Sequence, residues 1–195
     1  MDFHAFSMVA RRATPHLFCL LAALGVEAAR AETSPDQGGA PNAVCIGLQD
    51  IRSDQTPVEL SAAAKGCVDA GDGLRAFLLY AVAGMRVHFD AARFEDKHAV
   101  LIAREMQTRW VGELSTTERQ MVDKAMALSV TNRPLNFAFC AQLRAMKPPT
   151  YEPVYMARQF PDASPDGAGV LLKKDFNSEL AWAREVKAMS CALEW

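Results

Sequence analysis

Four cysteines are the sequence feature that most constrains the fold of this chain. They follow a secretory leader, which would direct the chain to an oxidising compartment where cysteines can form disulfides. The leader has a positively charged start at Arg11 and Arg12, followed by a short apolar run over residues 17–24. Ala29 and Ala31 supply the small residues of a cleavage site, so we expect the mature chain to begin at Glu32. Because a membrane span needs about 20 apolar residues, we expect no stable membrane insertion after cleavage.

Removing residues 1–31 changes the cysteine count. The full chain has five cysteines, and Cys19 leaves with the leader. Four cysteines remain, and they allow three disulfide pairings. We favour Cys45–Cys67 and Cys140–Cys191, because each of these pairs closes a loop within one half of the chain. A zinc site is disfavoured, since no two cysteines have the CxxC spacing of a zinc knuckle.

The mature chain would have 164 residues, which suits one domain with its own core. We expect a flexible tether over residues 32–42, which is rich in small and polar residues, and a single domain over residues 43–195. The mature chain would have 18 basic and 21 acidic residues, a net charge of −3. Because no basic block is present to neutralise phosphates, a nucleic-acid partner is not expected.

Helix signals dominate the mature chain and predict an all-α fold of about six helices. Thr56 and Glu59 form one capping box, and Ser115 and Glu118 form another, so helices should begin at both places. Apolar spacing and helix breakers predict helices over 57–69, 74–89, 96–114, 115–130, 134–146 and 177–191. A long Pro-rich loop should occupy residues 147–169, and residues 170–172 are the one weak strand candidate.

The first two predicted helices, at about residues 57–90, resemble a single tetratricopeptide repeat. The family's first large position falls on Leu60, its small positions fall on Ala63, Ala64, Ala76 and Ala83, and its second-helix aromatic position falls on Tyr80, with Gly71-Asp72 at the turn. The chain departs from the pattern at Cys67, where the family usually has an aromatic residue, and at His88, where it prefers proline. A second copy at this period is not evident. The resemblance implies a helical hairpin and favours protein or peptide binding over catalysis.

Few residues suggest catalysis. His88 and His98, with Asp90, Glu95 and Asp96 nearby, could form an acid–base site, and a small hydrolase is therefore one alternative function. The chain has neither a GxSxG nucleophile motif nor an HExxH metal motif. No catalytic residue, cofactor or metal ion is therefore assigned.

The Pro/Tyr segment, residues 148–156, is the most distinctive stretch of the chain. Proline restricts the free backbone, so less entropy is lost on docking, and tyrosine offers contact area with a polar tip. Its candidate binding residues are Pro149, Tyr151, Pro153, Tyr155 and Met156. The alternative is that the tyrosines lie back on the helices as part of the core.

These observations favour an exported, periplasmic or secreted, protein that acts by binding another protein and does not catalyse. An immunity protein, or an inhibitor of an enzyme that acts in the periplasm, would suit a small disulfide-linked helical domain. A carrier with an apolar cavity between its helices is a further alternative. The partner and the oligomeric state stay open.

Overall fold

The computed structural model describes residues 43–161, 167 and 170–191. The predicted leader and tether lie outside these residues. Helices dominate the described part, and their bounds are α1 Pro57–Asp69, α2 Gly73–Ala91, α3 His98–Gly112, α4 Thr116–Thr131, α5 Arg133–Ala145, α6 Val154–Ala157 and α7 Ser178–Val186. A short 3-10 turn over Leu48–Asp50 precedes α1, and a π-helical turn over Lys187–Cys191 follows α7. The all-α prediction is confirmed.

Capping side chains set the helix starts that the sequence indicated. The Thr56 and Ser115 hydroxyls accept from the backbone N–H of Glu59 and Glu118, and each glutamate carboxylate accepts from the backbone N–H of its capping residue. After α1, Gly71 turns the chain with a φ of 76°, a conformation that glycine adopts without strain. The chain therefore reverses within three residues, and α1 and α2 pack as an antiparallel hairpin.

Helix α2 is the centre of the fold, because apolar cores lie on two of its sides. The larger core joins α2 to α1, α5 and α7, and it includes the fully buried residues Leu60, Ala64, Ala76, Leu79, Val82, Ala83 and Leu143. The smaller core joins the carboxyl end of α2 to α3 and α6 through Val87, Phe94, Ala103, Met156 and Phe160. The small side chains let α1 and α2 approach closely; the tetratricopeptide resemblance of this pair stays a prediction.

The structure differs from the sequence prediction in three elements. Residues 154–157 form a short helix inside the segment predicted as a loop, because Met156 and Ala157 are buried against α2 and α3. The last predicted helix changes to a π turn at Lys187. The strand candidate forms a single antiparallel bridge between Leu172 and Phe94, which no further strand extends among the described residues.

Two disulfides link Cys45 to Cys67 and Cys140 to Cys191, which are the pairs that the sequence favoured. The first attaches the segment before the 3-10 turn to α1. The second attaches α5 to the π turn after α7. Near the second bond, Arg144 donates to the carbonyl of Cys191 at 2.7 Å. Both ends of the described domain are thus covalently tied to its helices.

Gly66 permits the close approach that the first disulfide needs. A Cβ at this position would lie 1.8 Å from the carbonyl oxygen of Ala43, an atom of the backbone that cannot move aside cheaply. We therefore expect Gly66→Ala to lower the free energy of unfolding by about 2 kcal/mol, as overpacking does. Denaturant unfolding monitored by circular dichroism measures the change. The matched control is Gly112→Ala in α3, where a Cβ would have open space. This substitution should leave the free energy of unfolding unchanged or raise it. Equal losses in both variants would contradict the explanation.

Candidate functional site

The structure buries three of the five candidate residues of the Pro/Tyr segment and leaves the other two half-buried. Pro149, Pro153 and Met156 are buried, and Met156 lies in the smaller core. Tyr151 and Tyr155 are half-buried, with their rings edge to face and centroids 6.4 Å apart. Little of this apolar surface is therefore open to a partner.

The two tyrosines converge on one carboxylate. The hydroxyls of Tyr151 and Tyr155 both donate to Oδ2 of Asp90, at 2.8 and 2.5 Å. Asp90 lies in the last turns of α2 and is fully buried. The contacts span more than 60 residues of sequence, so they fix the Pro/Tyr segment to the central helix. This arrangement corresponds to the alternative in which the tyrosines lie back on the helices.

Arg93 completes the attachment. Its Nη1 donates to the carbonyl of Tyr151 at 2.7 Å and lies 3.6 Å from Oδ1 of Asp90, while its Nη2 contacts the Glu152 carboxylate at 3.3 Å. The guanidinium thus satisfies a backbone acceptor and brings positive charge close to the buried carboxylate. Asp90 Oδ1 itself has no hydrogen-bond partner within range in the described structure.

Burial dominates the ionisation of this cluster. It raises the pKa of Asp90 to about 6, although the two tyrosine hydroxyls and Arg93 favour the ionised form. Burial and the neighbouring carboxylate also raise the pKa of both tyrosines, so their hydroxyls stay protonated and act as donors. A raised carboxyl pKa is typical of general acids. Asp90 is fully buried, however, and its contacts link the Pro/Tyr segment to α2.

The structure does not assemble the alternative His88/His98 site. His98 is exposed and lies 3.4 Å from the Asp96 carboxylate at the start of α3. His88 is half-buried; burial lowers its pKa, and its hydrogen-bond partner is Gln107. Gln107 lies nine residues after His98, about 13 Å along the axis of α3. Asp90 accepts from the two tyrosine hydroxyls. His88, His98 and Asp90 therefore contact three different sets of residues and do not converge on one acid–base site.

Neither a cluster of metal ligands nor a membrane-spanning helix is present among the described residues. No group of three or more His, Cys, Asp and Glu side chains there could hold a metal ion. No described helix combines the length and apolar character that crossing a membrane requires.

Four large apolar side chains are exposed on α4 and α5, on either side of the one residue that joins these helices: Met126, Leu128, Val130 and Phe137. Met126 and Val130 share one face of α4, and Leu128 lies on another. We call this set the hairpin surface. Val130 is 72% exposed and Phe137 is 58% exposed. Asn132, the one residue between the two helices, caps α5 by accepting from the N–H of Leu135 at 3.1 Å. Arg133 is the only charged residue between Lys124 and Arg144.

The sequence contained a signal for each of these features. Arg86 and Asp90 lie four residues apart in a helix that is otherwise mostly apolar, so they share a face of that helix. Charged residues in such a helix are seldom buried without a partner, and Arg93 follows three residues after Asp90. The uncharged run from Ala125 to Asn132 was visible as well. Periodicity alone did not separate its buried positions from its exposed ones.

No protein-family model, no curated protein and no solved structure matches this chain.

Proposed function

We propose that this protein is an exported, non-catalytic protein that acts by binding another protein through the hairpin surface. Large apolar side chains exposed together and lacking charge mark contact sites on proteins that otherwise avoid them. Methionine, phenylalanine and arginine are also enriched in protein interfaces. The exposure of Val130 and Phe137 beside a single charge, Arg133, is the observation that carries the proposal.

The contrast with α3 supports this choice of surface. Val100 and Leu101 are 48% and 56% exposed, but Lys97, Arg104 and Glu105 lie within four or five residues of both. Exposed apolar residues scattered among charges are common on protein surfaces and need no partner. Val130 and Phe137 each have only Arg133 as a charged residue within four positions. The hairpin surface has instead Met126 and Val130 one turn apart on the same helix, where neighbouring side chains meet.

We assign the contact to the hairpin surface rather than to the Pro/Tyr segment because the tyrosines have partners inside the domain. Their hydroxyls are bound to Asp90, and exposing them would break both hydrogen bonds. The tetratricopeptide-like pattern of α1 and α2 agrees with a binding role, since that family binds proteins and peptides.

The proposed location is the periplasm or the outside of the cell, after cleavage behind Ala31. Two disulfides are typical of proteins in such oxidising compartments. In its most concrete form, the proposal is an immunity protein or an inhibitor that blocks an enzyme acting in that compartment.

Substituting the hairpin surface is expected to abolish partner binding. The immobilised mature protein should retain a partner from a periplasmic extract, and Phe137→Glu should lose it by at least about tenfold, because a buried unpaired charge at an interface costs several kcal/mol. Quantitative mass spectrometry of the retained proteins measures the loss. Leu101→Glu on α3 is the matched control and should retain the partner.

Two results would contradict the proposal. One is equal retention by Phe137→Glu and wild type. The other is a homodimer, seen by light scattering, that Phe137→Glu dissociates, because a second copy would then cover the hairpin surface.

A further inference from the structure

One cleft has a lining suited to an anion. It has a volume of about 400 Å³ and lies between the segment after the 3-10 turn, helix α2 and the carboxyl end of α5. Small-molecule sites in proteins begin at roughly 300 Å³. Lys147, Gln49 and Gln142 supply its polar lining, Arg86 lies in its wall, and Ile51 and Met146 supply apolar surface.

Arg86 is the unusual group in this wall. It is 1% exposed, so its charge is removed from water. Its Nη1 donates to the carbonyl of Gln55 and its Nη2 to the carbonyl of Arg52, at 2.8 Å for the latter. Its Nε has no hydrogen-bond partner in the described structure. Guanidinium groups stay protonated, so a full positive charge is held here by carbonyl dipoles.

No described carboxylate forms a direct ion pair with Arg86. Among the described residues, none lies within 4.0 Å of its guanidinium. Asp90, one turn further along α2, accepts both tyrosine hydroxyls on one oxygen. Asp54 pairs with Arg52 at 2.9 Å, and Asp50 accepts from the Gly47 N–H and the Gln49 amide. Arg86 thus carries its charge without a direct ion pair to any described carboxylate, although Asp90, Asp54 and Glu59 attract it at longer range, and Lys147 places a second positive charge at the cleft.

We propose that this cleft binds a small organic carboxylate. The carboxylate would lie toward Lys147 and the Arg86 side, where the amides of Gln49 and Gln142 can also donate. A short apolar body would lie against Ile51 and Met146. The wall at Met146 is fixed, since Trp182 Nε1 donates to its carbonyl at 3.0 Å. This inference is independent of the hairpin surface.

Three probes with the same six-carbon chain test the site by calorimetry and by amide chemical shifts: hexanoate, hexanamide and hexylammonium. Hexanoate should bind at least about tenfold more tightly than hexanamide, because charge-assisted hydrogen bonds are the stronger ones, and hexylammonium should not bind. Lys147→Gln should weaken hexanoate binding by about threefold to tenfold. Lys124→Gln on α4, which does not line the cleft, is the matched control and should leave binding unchanged.

A blocking variant completes the test. Ala145 is exposed and lines the cleft, so Ala145→Phe should keep the fold and remove hexanoate binding. Equal affinities for hexanoate and hexanamide would overturn the proposal, as would unchanged binding in Lys147→Gln or in Ala145→Phe. An absence of hexanoate binding at millimolar concentration would overturn it as well.

Discussion

Replacing Cys140 and Cys191 together by alanine is expected to lower the free energy of unfolding by about 4 kcal/mol. The bond closes a loop with a sequence separation of 51, and the entropy that a cross-link removes from the unfolded chain grows with loop length. The loop contains the Pro/Tyr segment and α7, so the unlinked chain gains freedom across much of the carboxyl-terminal half. Denaturant unfolding of the double variant under non-reducing conditions measures the loss.

The other disulfide is the matched control for this prediction. Cys45 and Cys67 are separated by 22 residues, and the same entropy argument gives about 3 kcal/mol for replacing both by alanine. The Cys140/Cys191 variant should therefore be the less stable of the two. The reverse order, or a loss below about 1 kcal/mol in both, would show that loop closure in the unfolded chain does not set these stabilities.

The helices were predictable because their signals are local. Thr56 with Glu59 and Ser115 with Glu118 lie within one turn, so the capping box that starts each helix is complete in four letters of sequence. The disulfide pairs could also be predicted, because four cysteines allow only three pairings. Such features need no knowledge of what packs against the helix.

The polar attachment of the Pro/Tyr segment was not predictable to the same degree. Tyr151 and Tyr155 lie 61 and 65 residues from Asp90, and no periodicity connects them. Their rings suited both a partner surface and a core position, and only tertiary packing shows that Asp90 of α2 accepts from their hydroxyls. The exposure of Val130 and Phe137 could not be predicted either, because large apolar residues in helices are ordinarily assigned to the core.

Asp90→Ala is expected to lower the free energy of unfolding by about 3 kcal/mol at pH 7. The substitution leaves the two tyrosine hydroxyls without an acceptor in a buried region, and it removes the carboxylate beside Arg93. Asp69→Ala is the matched control, because Asp69 is exposed and forms an ion pair with Lys65 alone among the described residues. This substitution should lower the free energy of unfolding by less than about 1 kcal/mol. Similar losses in the two variants would show that the segment is held by its apolar contacts alone.

Comparison with Asp90→Asn should separate the charge of Asp90 from its hydrogen bonds. Burial raises the pKa of Asp90 from 3.8 to about 6, so the folded protein takes up this proton at a higher pH than the unfolded chain does. The resulting stabilisation is complete below the unfolded pKa and is lost as the pH rises through about 6. As the pH falls from 7 to 5, the free energy of unfolding of the wild type should therefore rise by about 1 kcal/mol relative to that of Asp90→Asn.

The quantity to compare is the difference in the free energy of unfolding between wild type and Asp90→Asn, because other groups also titrate between pH 5 and pH 7. Burial lowers the pKa of His88, which destabilises the fold as the pH falls, whereas burial raises the pKa of Glu185, which acts in the opposite direction. Both residues are present in wild type and in Asp90→Asn, so their contributions cancel. Urea unfolding of both proteins at pH 5, 6 and 7 measures the difference. If the difference stays constant across this range, the carboxylate is not held in the buried environment that attaches the Pro/Tyr segment to α2.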